Sequence, residues 1–266
     1  MSSRGSARPG LRPRKPPRNT LPADDVRRFR ASLSEFLEVR DEHGRKWADA
    51  TWGVYAFYDY DGEPIYVGQT NERLRTRVRR HLTNQRTDAV AMRILDVFEV
   101  ASVQIFPLWD LEGTASSNKD ARHLLDAVEY SAYLTAIEQS RFHAILNEKI
   151  PPISPRVELP PSLHCDLIDE ETRAERGHPD VRIARRAETV SRLAAVARER
   201  GEVSDGLRRV LVIQAVRLAF LSASRLAEVE GRPLPEPEAS FNINELVGSV
   251  LYEHDGGTST EEDIAD

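Results

Sequence analysis

The chain has 266 residues, 40% of them apolar and 30% charged, with a net charge of −6 and one cysteine. That is enough chain to bury a core without covalent staples, and a lone cysteine excludes an internal disulfide or a multi-cysteine zinc site. The best apolar run, Val210 to Leu221, is broken by Gln214 and Arg217, and no apolar leader opens the chain, so a protein of the reducing cytoplasm with no membrane partner is expected.

Residues 1–22 carry Arg4, Arg8, Arg12, Arg14, Lys15 and Arg18, no acid, and almost nothing apolar. Such a segment cannot offset its ordering entropy and reads as a disordered basic tail, either inert or an arm that strengthens DNA binding. Residues 23–50 hold an N-terminal helix and a loop. Val26, Phe29, Leu33, Phe36 and Leu37 recur at helical spacing over 23–40, and 41–49 is polar. From Thr51 the period changes to two. Val54, Ala56 and Tyr58 alternate with Gly53, Tyr55 and Phe57 as a strand, Asp59-Tyr60-Asp61-Gly62 reads as a turn, and Ile65 to Gly68 form a second strand. A helix over 72–82 follows, striped by Leu74, Val78 and Leu82. A third strand is expected over 99–106, and a long amphipathic helix over 120–139.

Residues 151–162 contain Pro151, Pro152, Pro155, Pro160 and Pro161 and read as an extended linker; Cys165 is read as linker too, with no assigned role. Residues 163–252 are expected to be mainly helical, with a hairpin of helices near 179–200 and 206–230 and a short helix within 241–252. This region would serve dimerisation or DNA clamping. Residues 253–266, with six acids and no Lys or Arg, read as an acidic disordered tail.

Chemistry concentrates between residues 51 and 150. Arg77 and His81 stand one turn apart on the same helix, at the margin of its apolar stripe. A guanidinium there suits capture of a phosphate oxygen, and an imidazole beside it can move a proton. Glu129 sits at the edge of the apolar face of the long helix, where a partly desolvated carboxylate calls for a cation such as Mg²⁺ or Mn²⁺. Residues 73–93 hold arginines 73, 75, 77, 79, 80, 86 and 93 against Asp88 alone, a local positive patch despite the negative total. Arg73, Arg75, Arg79 and Arg80 read as generic DNA-phosphate contacts or solvated charge, not as catalytic groups.

The tripeptide Gly53-Val54-Tyr55, then Tyr66-Val67-Gly68, Arg77-x-x-x-His81 and a later helical glutamate resemble the GIY-YIG nuclease superfamily, over about residues 51–150. Valines 54 and 67 stand where the family name has isoleucine, a conservative change on a strand. The resemblance implies an α+β fold with a small three-stranded antiparallel sheet flanked by helices, and cleavage of DNA phosphodiester bonds with Mg²⁺ or a similar metal. It also implies Tyr55 as general base for water, Tyr66 orienting it, Arg77 on the scissile phosphate and His81 assisting proton transfer. Glu129 would be the metal ligand, and Asn147 would hold backbone or active-site hydrogen bonds. The flanking regions look most like the restriction-endonuclease branch: a Mg²⁺-dependent type II enzyme acting on double-stranded DNA, with a homodimer for a palindromic cut and no organic cofactor. The alternatives are a structure-selective repair or mobile-element nuclease, and a non-cleaving DNA-binding protein on the same fold.

Overall fold

The computed structural model describes residues 22–83, 94–237 and 242–252. The expected basic tail (residues 1–21 of it), the acidic tail 253–266, Arg86 and Arg93 lie outside the described residues. Helix α1 (Asp24–Phe36) leads, burying Phe29, Leu33 and Phe36. Strands β1 (Gly53–Tyr58) and β2 (Pro64–Thr70) form an antiparallel hairpin. Its turn is held by Asp59, whose Oδ1 accepts the backbone N–H of Asp61 at 2.9 Å and of Glu63 at 3.1 Å. Gly62 supplies the positive φ of 73° that the turn requires. Helix α2 (Leu74–Thr83), strand β3 (Ser102–Pro107) and helix α3 (Lys119–Gln139) follow.

The sheet has four strands in the order β2–β1–β3–β4, all antiparallel, not the three expected. The added strand, β4 (Leu163–Asp166), pairs with β3 so that Val103 faces Cys165 and Gln104 faces His164. Cys165 is therefore on a strand and not in a linker. Four residues with one large aliphatic side chain carry too little alternation to announce a strand; the proline-rich segment delivers them already extended to the free edge of β3.

Helices α4 (Glu170–Arg176), α5 (Pro179–Arg200), α6 (Asp205–Val229) and α7 (Ile243–Val247) complete the chain. Helices α5 and α6 pack against each other as the expected hairpin, and Gly201 ends α5 with φ 72°. By length and composition α6 could cross a membrane. Here it buries Leu207, Val210 and Ile213 within the protein and carries Arg217 at 1% exposure.

Arg217 belongs to a buried ionic network that joins α5 and α6 to the tip of the β1–β2 hairpin. Asp59 Oδ2 accepts from Arg186 Nη2 at 2.8 Å, Arg217 Nη2 at 2.9 Å and Arg182 Nη2 at 3.2 Å. Glu99 pairs with Arg185 and Arg186, each at 3.1 Å, and Asp61 pairs with Arg182 at 2.9 Å. A fully desolvated charge survives only with such partners. The helical hairpin is thus bonded to the strands that carry the tyrosines.

Candidate active site

In the β1–β2 register Tyr55 lies opposite Gly68, and Phe57 opposite Tyr66. Alternate residues face the same way, so the two tyrosines share one face of the sheet. Their rings stack with centroids 6.2 Å apart. Gly68 is required by close approach: a Cβ at that position would lie 2.5 Å from the Tyr55 hydroxyl oxygen. The missing side chain is the space the phenol occupies.

Helix α2 packs on this face through Leu74, Val78 and Leu82, and Arg77 and His81 emerge beside that stripe. Both converge on one atom. His81 Nε2 lies 2.9 Å from Tyr55 Oη, and Arg77 Nε donates to the same oxygen at 3.3 Å. Tyr55 has no solvent exposure. Burial raises its phenol well above the ordinary tyrosine value, with the neighbouring Tyr66 adding and Arg77 opposing. Burial also holds the His81 imidazole down at about 4, with the charges of Arg77 and Arg80 adding. Phenol and imidazole are both neutral at neutral pH. The pair is satisfied when Tyr55 donates its O–H to Nε2 and accepts the Arg77 N–H, which leaves the ring proton on Nδ1.

The remaining two expected residues are mounted on the outer edge of β2. An edge strand presents every second residue's N–H and C=O outward, without a strand to pair them. Here that row is filled from elsewhere. The carbonyl of Ile65 accepts from Leu146 N at 2.8 Å. At Val67 the side chain of Asn147 makes both bonds: Oδ1 accepts the N–H at 3.1 Å, and Nδ2 donates to the carbonyl at 2.7 Å. At Gln69 the backbone N–H faces the Glu129 carboxylate and stabilises its charge. Asn147 thus uses both ends of its amide on the β2 backbone.

Glu129 is buried at 8% exposure on α3. Burial pushes its carboxyl up to about 7; Asp126, one turn earlier, adds, while Arg77 opposes. Asp126 in turn accepts from Gln69 Nε2 at 2.9 Å. Gln69 and Asp126 escaped the sequence reading. Their signals were present: Gln69 is the next outward residue after Val67 on β2, and Asp126 lies three residues before Glu129 on one helix face.

Tyr66, His81, Glu129 and Asn147 line one cavity of about 520 Å³, walled on its apolar side by Ile150 and Pro151. Tyr55 and Arg77 are not among the lining residues; Tyr55 adjoins the cavity through its bond to His81, and Arg77 through Tyr55. Among the described residues no three His, Cys, Asp or Glu side chains gather as a cage for an ion. The donor set is one desolvated carboxylate at a cavity wall. That fits a hard divalent cation such as Mg²⁺, which takes one or two carboxylates and completes its shell with water and phosphate oxygens.

The four arginines expected on DNA separate into two pairs. Arg75 donates to the Leu37 carbonyl at 2.8 Å and pairs with Glu38 at 3.2 Å and with Asp49, tying α2 to the N-terminal segment. Arg80 pairs with Glu72 at 2.8 Å. Arg73 and Arg79 are exposed.

Comparison with known families matches residues 51–111 to the GIY-YIG catalytic domain. The matched span contains Tyr55, Tyr66, Arg77 and His81; Glu129 and Asn147 lie beyond it. Such a domain suggests a nuclease, an endonuclease with DNA as substrate, and nucleases of this kind generally use divalent metals. No curated protein and no solved structure matches the chain.

Proposed function

We propose that this protein is a metal-dependent DNA endonuclease that hydrolyses phosphodiester bonds at the cavity between α2, α3 and β2. The observation that carries this reading is the convergence of His81 and Arg77 on the Tyr55 hydroxyl, beside a cavity that also holds the Glu129 carboxylate. In this reading Arg77 draws the scissile phosphate to the cavity and balances charge as it develops. Tyr66, at the cavity wall, orients the attacking water. Tyr55 removes the water's proton while passing its own to His81 Nε2, so no free phenolate forms and His81 ends as the imidazolium. Arg77 lowers the basicity of His81 in the free protein. A phosphate on Arg77 offsets that contribution, while burial, the larger cause, still holds the imidazole down. Glu129 would hold the divalent cation, which when bound polarises the phosphate.

The experiment is nicking of supercoiled plasmid in Mg²⁺ by the wild type and by Arg77→Ala. The expected loss is about 10²–10³ in turnover, the usual cost of removing one transition-state charge contact. No nicking by the wild type would leave a DNA-binding protein on a nuclease fold. Equal nicking by both would take Arg77 out of the reaction.

Cation binding should depend on pH in a defined direction. Below about 7 the Glu129 carboxyl is protonated, and a cation must displace that proton. Apparent Mn²⁺ affinity, measured by calorimetry, is expected to fall about tenfold per pH unit below that value and to level off above it. The dependence should vanish in Glu129→Ala. A flat profile in the wild type would mean that the cation sits elsewhere.

For the biological setting we propose restriction of duplex DNA. In support, the helical hairpin is bonded rigidly to the catalytic sheet, which suits one fixed substrate geometry. A marked preference for branched over plain duplex DNA would favour repair or mobile-element cleavage instead.

A further inference from the structure

We propose that a second groove, between Glu148–Lys149, the first turns of α6 and the segment from α7 to Tyr252, holds the phosphates of the DNA strand on one side of the cut. The proposal rests on the nuclease reading and extends it to the helical hairpin. This groove has a volume of about 550 Å³ and shares Glu148 and Lys149 with the catalytic cavity, so the two spaces meet at one ridge. Its cations are Lys149 on the ridge and Arg208 and Arg209 on α6. Two acids share it, Asp205 and Glu148, and Glu148 Oε1 is already taken by the Ser204 hydroxyl at 2.7 Å.

What makes this groove part of the site, and not a chance cleft, is how α6 is fastened. Glu148 directly follows Asn147, the residue bonded to β2. Ser204 holds the Glu148 side chain, and Arg209 Nη2 donates to the Glu148 carbonyl at 2.9 Å. Gly206 lies so close that a Cβ there would stand 1.9 Å from that carbonyl oxygen. Ser204, which caps α6, and Arg209 within it thus hold Glu148 by side chain and carbonyl, and Gly206 lets the helix come that close. Arg209 is held in place by its carbonyl bond, and Lys149 and Arg208 are exposed to solvent on either side. A polyanionic strand leaving the cavity meets three cations there, of which Arg209 is braced on Glu148 and Arg208 on the Gly201 carbonyl, the kind of contact that positions a phosphate backbone.

The test uses the full-length chain and supercoiled plasmid. Arg209 is left intact because it braces the fold, and the double variant Lys149→Gln/Arg208→Gln is compared with the charge-keeping Lys149→Arg/Arg208→Lys. Two lost phosphate contacts should raise KM about tenfold or more, with kcat changed by less than about twofold, and should reduce the slope of log(kcat/KM) against log salt by about 1.8. The charge-keeping variant should restore both. An active wild type with an unchanged KM and slope in the neutral variant overturns the groove while leaving the nuclease reading intact. A fall in kcat that the charge-keeping variant also shows would assign these residues to the fold, and overturns the groove as well. An inactive wild type removes the nuclease reading and this proposal with it.

Discussion

Tyr55→Phe is expected to slow plasmid nicking by about 10²–10⁴, the span that a positioned proton-transfer group contributes. The substitution removes one atom. The ring that packs between Phe57, Tyr66 and His81 stays, so the hydrophobic contacts of the hairpin persist. What disappears is the oxygen on which His81 and Arg77 meet. Arg77 can still attract a phosphate, so KM should move far less than kcat. Single-turnover rates under saturating DNA separate the two. A rate within a few-fold of the wild type would show that the water's proton leaves by another route.

The second large effect concerns stability. Asp59→Ala should lower the unfolding free energy by about 3–5 kcal/mol, the typical cost of breaking a buried ion pair from one side. The reason is the number of groups left behind. Asp59 is 2% exposed and accepts from Arg182, Arg186 and Arg217 through one oxygen and from two backbone N–H groups through the other. Removing it strands buried guanidinium charge and unpins the hairpin turn together. Urea unfolding followed by circular dichroism measures the loss, with an unchanged slope marking a true stability effect. A change below about 1 kcal/mol would mean that Glu63 and Glu99 take over the stranded arginines, or that water reaches them.

The parts of the site that sequence reading located are those that local spacing determines. The alternation of Gly53 to Tyr58, the turn at Asp59 to Gly62 and the helical spacing of Arg77 and His81 are short-range patterns, and each element formed close to its expected place. The long helix bearing Glu129 and the hairpin of α5 and α6 were legible for the same reason. What stayed hidden depends on partners distant in the chain. Arg182, Arg186 and Arg217 lie in helices rich in Ala, Arg and Leu, where an arginine ordinarily marks a solvated face. The carboxylates of Asp59, Asp61 and Glu99, far earlier in the chain, make their burial tolerable. Strand β4 was missed because its pairing with β3 is its only cause. Within the positive patch of residues 73–93, the ion pairs of Arg75 with Glu38 and Asp49 and of Arg80 with Glu72 were not legible, since composition does not reveal acids folding back on them.

The way Asn147 and Glu129 hang on the outer margin of β2 has a consequence for faulty copies of this protein. Sliding β2 by one residue would turn Tyr66 to the opposite side of the sheet. It would also swap which peptide groups point outward, so the amide and the carboxylate would lose their anchorage in the same event. A misassembled molecule then forfeits the aromatic pair and the acid together.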